Sequence, residues 1–340
     1  MKTLIPIYCL FTVAAMTDVL AQGGAPVGVD PAKIGEIRAK AKEVTGALPA
    51  AMPGAENDTA ALVDLGRKLF FEKKLSMNQS QSCNSCHAVD AKRAGVDGEP
   101  TSPGAFGKRG GRNSPTVLNA GFHFAQFWDG RAATLEDQAK GPILNPVEMA
   151  MPDEKVVLER LRADKDYPGL FSKAFSAGGE TVSYDRVAKA IAAFERTLVT
   201  HDRFDDFLNG NDKALTASEI KGLELFMEVG CTTCHNGPLI GANTFQKMGL
   251  IQPYANTTDL GRFDVTKDES DKFKFKVPSL RNVALTGPFF HDGRTSQLDQ
   301  AVTQMARLQL GRELAPAEKN ALLAFLRSLS DKERAAVARN

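Results

Sequence analysis

Two short cysteine–histidine motifs in this 340-residue chain could do chemistry. Both read C-x-x-C-H, which is the attachment signal for c-type haem. In that signal the two thiols form thioethers with the porphyrin vinyl groups, and the histidine ligates the iron. We therefore predict two covalently bound haem c groups. One is held by Cys83, Cys86 and His87, and the other by Cys231, Cys234 and His235.

A zinc site is the alternative interpretation, because two C-x-x-C pairs can also bind zinc. Structural zinc pairs usually lie much closer in sequence than these two pairs. Zinc also does not require a histidine directly after each pair. Haem attachment therefore accounts better for the repeated motif.

Composition and the N-terminus limit the other possibilities. The net charge of +1 gives no case for a nucleic-acid partner, and the 43% apolar content is that of a globular protein. Residues 1–21 have the charge, apolar run and small-residue cleavage site of a secretory signal peptide. The apolar run is too short for a membrane span. Export together with haem attachment predicts a periplasmic protein.

Apolar periodicity predicts a mainly α fold with long loops and little strand. One helix is expected to begin at Asp58 or Thr59 and to lead into the first haem motif. Thr216 and Glu219 form a capping box for the helix before the second. The prolines in residues 141–152 predict a loop there. The polar residues 201–214 suggest a domain junction, and residues 22–57 a loosely packed arm.

The two halves of the chain repeat each other around the haem motifs. Before each motif lies Gly-x-x-Leu-Phe, beginning at Gly66 and at Gly222. After each motif, residues 115–119 match residues 278–282, and an Asp-Gly-Arg follows in both halves without a gap. We therefore predict two tandem c-type cytochrome-like haem domains related by internal duplication, at residues 22–205 and 206–340.

After the repeated block the halves differ. The second half offers Met305 on a helix, whereas the first offers Glu148 on a proline-bounded loop. A Met thioether opposite a His raises the haem potential and closes the sixth position, while a carboxylate is a better proton carrier than iron ligand. Met305 could also be core packing, and Glu148 an ordinary surface carboxylate.

With these motifs the chain resembles the bacterial dihaem cytochrome c peroxidases over nearly all of its mature length. Besides the haem signals, the resemblance is carried by Arg112-Asn113-Ser114-Pro115-Thr116, Gln126-Phe127-Trp128-Asp129-Gly130-Arg131, Gln138 to Pro142, Asn145-Pro146-Val147-Glu148-Met149, Pro278-Ser279-Leu280-Arg281-Asn282 and Gln309-Leu310-Gly311.

The resemblance implies a role for each half. The haem on His87 would reduce hydrogen peroxide, and the haem on His235 and Met305 would accept electrons from a small cytochrome c or cupredoxin. Trp128 would lie between the haems. Gln138 and Glu148 would line the peroxide pocket, where Glu148 would move the proton.

The resemblance also implies a homodimer and a calcium ion between the domains. The ion would be held by the Asn113 side chain and by the carbonyl oxygens of Thr286 and Pro288.

The chain departs from the family pattern in the loop after the first motif. Many members carry a histidine there that blocks the peroxidatic iron until the other haem is reduced, and Ala105 holds that place here. Residues 88–112 contain no His and no Met, so only Lys92 and Lys108 remain as substitutes. We therefore expect an open iron in the oxidised protein.

Two other functions stay open. A dihaem oxidase of the methylamine-utilisation type, which acts on a partner protein, carries Tyr where Met305 stands. A non-catalytic dihaem electron-transfer cytochrome would need both irons closed, and no sixth ligand for the first is evident.

Overall fold

A computed structural model of the chain describes residues 30–90, 93–175 and 181–337. The predicted signal peptide at residues 1–21 and Lys92 lie outside the described residues. The fold is mainly helical, as predicted. The helices are α1 Pro31–Val44, α2 Ala60–Phe70, α3 Cys83–Cys86, α4 Leu135–Leu144, α5 Glu154–Arg162, α6 Tyr167–Ala174, α7 Tyr184–Glu195, α8 Arg203–Leu208, α9 Ala217–Glu228, α10 Phe263–Thr266, α11 Leu298–Leu310, α12 Pro316–Ser328 and α13 Lys332–Val337.

Strand structure is scarce in the described ranges, as expected. Strands β1 (Phe245–Lys247) and β2 (Lys274–Lys276) pair antiparallel, with Phe245 opposite Lys276. Long irregular segments connect the other elements. Across residues 30–90, 93–175 and 181–337, no helix is long and apolar enough to cross a membrane.

The core of the first half is the crossing of α2 and α7. Helix α2 begins at Thr59, whose hydroxyl accepts a hydrogen bond from the Leu62 amide at 3.2 Å, as the sequence predicted. Its buried face packs on α7 through Leu65 and Leu69. A Cβ at Gly66 would lie 1.8 Å from the Ala190 carbonyl oxygen, so only glycine permits this close helix approach.

The core of the second half is the crossing of α9 and α12, with the same local geometry. Thr216 and Glu219 form the predicted capping box at the start of α9. A Cβ at Gly222 would lie 2.0 Å from the Ala321 carbonyl oxygen. The two Gly-x-x-Leu-Phe sequences therefore serve the same purpose, which is to bring a second helix against the helix that precedes the haem motif.

Matching asparagines fix the loops after the two motifs. Asn119 and Asn282 both adopt the left-handed conformation, with φ of 62° and 64°. Their side-chain amides donate to the same acceptor, Thr200 Oγ1, at 2.8 and 3.2 Å. The two halves thus meet at one buried hydroxyl.

Three stretches are more ordered than their composition predicted. Helix α4 continues through Pro142 to Leu144, because a proline in the last turn removes only one backbone hydrogen bond. The stretch expected to be a polar junction contains α8, whose Phe204 and Phe207 are fully buried in the second core. The N-terminal arm is not loose, since Ile34 of α1 packs into that same core.

Candidate functional site

The first haem motif lies at the wall of a cavity of about 170 Å³. Helix α3 is a single turn that points the Cys83 and Cys86 side chains at this cavity and is followed at once by His87. Burial lowers the pKa of His87, and the nearby Pro115 and Gly95 carbonyls partly oppose this effect. His87 is thus neutral at neutral pH, the form that can ligate a metal.

The cysteine thiols of this cavity are unpaired and protonated. Burial raises the pKa of Cys86 to about 11 and raises that of Cys83 further. Both cysteines are free of disulfides, as are Cys231 and Cys234 in the second motif. The two C-x-x-C pairs line separate cavities, so they do not converge on one ion as a zinc site would require.

Polar side chains line the rest of the first cavity. Gln138 comes from α4 and Glu148 from the loop that follows it. Burial raises the pKa of Glu148, although the charge of Arg131 and a 2.8 Å hydrogen bond from Asn145 favour its ionised form. A buried carboxyl group with a raised pKa is suited to accept and return a proton.

Glu195 is a second carboxyl group in this cavity. It lies at the end of α7, is 5% exposed, and its Oε2 has no hydrogen-bond partner among the described residues. Burial and the charge of Glu136 raise the pKa of Glu195 to about 8, against the opposing charge of Arg196. It is therefore a neutral acid at pH 7.

The second haem motif lines a cavity of about 210 Å³ with mostly apolar walls. His235 Nδ1 lies 3.2 Å from the Ile240 carbonyl oxygen, an arrangement that leaves Nε2 free for a metal. Burial lowers the pKa of His235 to about 4. Met305, from α11, lines the same cavity.

Two residues, Trp128 and Lys276, line both cavities. The Trp128 indole donates to the Asn113 carbonyl oxygen at 2.9 Å, and the Lys276 amide donates to the Trp128 carbonyl oxygen at 2.7 Å. The first cavity and the second are therefore separated by one aromatic ring and one lysine side chain.

The loop at Ala105 packs directly against the Glu148 loop. The Ala105 amide donates to the Glu148 carbonyl oxygen at 2.7 Å, and a Cβ at Gly104 would lie 2.0 Å from the Val147 carbonyl oxygen. Lys108 is exposed and is not among the side chains that line the cavity. Within the described part of this loop, no side chain stands ready to close the site opposite His87.

Comparison with known proteins places these features in a family. Residues 60–213 match the model of the di-haem cytochrome c peroxidases. The chain is 48% identical over 275 residues to a cytochrome c551 peroxidase of Pseudomonas aeruginosa, covering 79% of each chain. It belongs to the di-haem cytochrome c peroxidase family.

Two further comparisons support this family assignment. A cytochrome c551 peroxidase of Nitrosomonas europaea is 45% identical over 276 residues, covering 80% of this chain and 81% of the relative. A solved MauG-like protein associated with microbial copper homeostasis superposes with a TM-score of 0.75 at 30% identity, covering 86% of this chain and 96% of that one. The chain is thus an enzyme of the di-haem cytochrome c peroxidase family, which implies two haem c groups.

The residues of this di-haem peroxidase fit two haems. Each cavity brings together two free thiols and a buried imidazole, which are the groups that covalent attachment and iron ligation need. Cys83, Cys86 and His87 would hold one haem. Cys231, Cys234, His235 and Met305 would hold the other.

Of the residues expected to bind calcium, Asn113 lines the first cavity. The Asn113 amide donates to the His291 carbonyl oxygen at 2.7 Å, and its side-chain Nδ2 donates to the carbonyl oxygens of Glu99 and Pro100. Because Nδ2 makes these bonds, Asn113 Oδ1 remains available as a ligand. Thr286 directly precedes the cis Gly287–Pro288 peptide, to which Pro288 belongs.

Sequence reasoning missed three residues that line the first cavity. They are His123, Lys276 and Glu195, to which the sequence analysis assigned no function. Glu195 follows a run of buried apolar residues in α7. A carboxyl group at the end of such a run is a sequence signal for a buried polar site. Lys276 gave no such signal, because its position depends on partners far away in sequence.

Proposed function

We propose that the protein reduces hydrogen peroxide to water at a haem held by His87. Electrons would enter at a haem held by His235 and Met305, from a small periplasmic cytochrome c or cupredoxin. The observation that carries this proposal is the placement of Glu148, a carboxyl group with a raised pKa, in the His87 cavity, while Met305 lines the other.

The haem iron would supply the binding position for peroxide and the electrons that split its O–O bond. Glu148 would take a proton from one peroxide oxygen and return it to the other, so that the second oxygen would leave as water. Asn145 holds the carboxylate in position through its 2.8 Å hydrogen bond. Overall, one peroxide, two electrons and two protons give two waters.

Gln138 and Trp128 have supporting roles in this proposal. Gln138 lines the cavity from α4 without changing its charge in the reaction, so it suits the orientation of peroxide or water. Trp128 contacts both cavities, and its indole is fixed by the Asn113 carbonyl oxygen. It is the aromatic group through which electrons would pass between the sites.

We further propose that the two halves arose by internal duplication and form tandem haem domains at residues 22–205 and 206–340. The shared glycine contacts of α2 and α9 and the matching left-handed asparagines support this. Helix α1 then belongs to the first domain in sequence but packs on the second. Residues 1–21 would be a signal peptide that directs the protein to the periplasm.

We also propose a calcium ion held by Asn113 Oδ1 and the carbonyl oxygens of Thr286 and Pro288, and a homodimer. Oxygen donors of these kinds suit calcium. Calorimetric titration of EGTA-treated holoprotein with calcium tests the site, and Asn113→Ala should abolish the binding. Sedimentation velocity tests the dimer, which a single monomeric species would contradict.

Steady-state peroxide turnover with a reduced small cytochrome c tests the function directly. Oxidation of two cytochrome molecules for each peroxide consumed would support the proposal. A methylamine-type oxidase would show little such turnover without its partner protein, and Met305 in place of Tyr argues against that role. A plain electron-transfer cytochrome would show none, and its spectrum would contain two six-coordinate haems.

A further inference from the structure

Lys276 is a buried amine without a counter-ion, and burial lowers its pKa to about 7 against the opposing charge of Asp129. It is 5% exposed, and no carboxylate of the described residues lies within ion-pair distance of its ammonium group. The nearest relevant acid, Asp129, already pairs with Arg112 at 2.6 Å and Arg131 at 3.0 Å. Burying a charge costs free energy unless a partner compensates it, so this arrangement calls for an anion.

Two of the three N–H groups of Lys276 have protein acceptors. Nζ lies 2.8 Å from His123 Nδ1 and 2.8 Å from the Ala125 carbonyl oxygen. Both partners are uncharged, because burial and the charge of Lys276 lower the pKa of His123 well below its usual value. The third N–H is therefore available to an anion at the wall that both cavities share.

His123 adds a second donor without an acceptor. Since Nδ1 accepts from the lysine, the neutral ring must carry its proton on Nε2. His123 Nε2 is buried and has no hydrogen-bond partner among the described residues. His123 lines the first cavity and not the second. Two donors at one wall of the first cavity thus lack an acceptor.

We propose that Lys276 and His123 form an anion site for a carboxylate group of the haem held by His87. A haem carries two carboxylates. One of them would pair with the Lys276 ammonium and accept hydrogen bonds from Lys276 Nζ, from His123 Nε2 or from both. This inference rests on the proposed attachment of haem in the first cavity, and it adds a function for two residues outside the peroxide-reducing groups.

Resonance Raman spectroscopy of the holoprotein tests the site, because the propionate bending band reports hydrogen bonding to the haem carboxylates. In Lys276→Met, the band of the His87 haem should move to lower frequency and that of the His235 haem should stay. The midpoint potential of the His87 haem should also fall, since a positive charge near it is lost. Lys274→Met, on the same strand but paired with Asp271, is the matched control and should change neither quantity.

Two further measurements keep the test decisive if Lys276→Met fails to mature. Lys276→Arg should retain the band because it retains a cation, and His123→Leu should move it in the same direction as Lys276→Met. In the unmodified holoprotein, exchange into D₂O should shift the band, because its N–H donors become N–D.

The proposal is overturned if the band is unmoved in both Lys276→Met and His123→Leu, if it is insensitive to D₂O, or if only the His235 haem responds. These spectra require attached haem but no peroxide turnover. A protein with the bands and no turnover would therefore refute the proposed function and leave the anion site intact.

Discussion

At two matched positions the first cavity has a polar side chain where the second has a hydrocarbon, and at a third it has proline where the second has a thioether. When the halves are aligned on their repeated loops, Gln138 corresponds to Ala301, and Pro142 to Met305. When α7 is aligned with α12 through Phe194 and Phe325, Glu195 corresponds to Leu326. All of these residues line their respective cavities.

Under the proposed function, this difference would separate two kinds of chemistry on similar helical frameworks. Splitting an O–O bond needs groups that move protons, and the first cavity supplies Glu148 beside a polar wall. Electron transfer needs no proton carrier, and an apolar cavity closed by a thioether keeps the iron coordination fixed. The comparison therefore predicts which substitutions affect turnover and which affect potentials.

The largest expected effect is that of Glu148→Gln. Since a general acid–base contributes about 10²–10⁴-fold, peroxide turnover should fall by that order while both haems remain attached. The measurement is steady-state kinetics together with a haem stain of the denatured protein. Glu154→Gln, at the exposed start of α5, is the control and should leave the rate unchanged. A near-native rate for Glu148→Gln would assign proton transfer to another group.

The second prediction concerns access to the first cavity. Because the described loop residues offer no ligand opposite His87, the oxidised protein should bind peroxide without prior reduction. Electron paramagnetic resonance of the isolated protein should show a substantial high-spin ferric signal from one haem. Two purely low-spin haems, with peroxide binding only after reduction, would mean that another ligand closes the site.

The third prediction concerns the second cavity. Met305→Leu should lower the potential of the His235 haem and remove the absorbance due to Met–iron charge transfer. Met248→Leu provides a matched control, because Met248 lines the same cavity. Spectroelectrochemistry measures both effects. If the potential and the charge-transfer band are unchanged in Met305→Leu, Met305 serves only in packing.

The last prediction concerns stability rather than turnover or potential. The pKa of Glu195 is raised to about 8, so the folded protein keeps its proton while the unfolded chain ionises near pH 4.5. The free energy of unfolding should therefore fall as pH rises from 4.5 to 8, by at most about 1.4 kcal/mol per pH unit from this group.

Glu195→Gln should remove that slope, which denaturant titrations at pH 5 and pH 8 would measure. Glu333→Gln, on exposed α13, should keep it. An unchanged slope in Glu195→Gln would show that another group ionises on unfolding.

The features that the sequence predicted correctly depend on residues close together in the chain. The haem motifs, the cap at Thr59 and the capping box of α9 involve neighbours within a few residues, and their roles can be read locally. The contact of Lys276 with His123 spans 153 residues, and nothing near either residue indicates it. Pro142 led to a wrong loop prediction, because a proline in the last turn of a helix does not end the helix.

The backbone bonds beside Trp128 bear on how this protein can evolve. The Asn113 amide donates to the His291 carbonyl oxygen and the Lys276 amide donates to the Trp128 carbonyl oxygen, both at 2.7 Å. Each half thus completes the other's main chain, independently of side-chain identity. A half taken from a relative with the same backbone path should therefore restore both bonds, whereas removal of either half would leave a carbonyl oxygen of the other half without its donor.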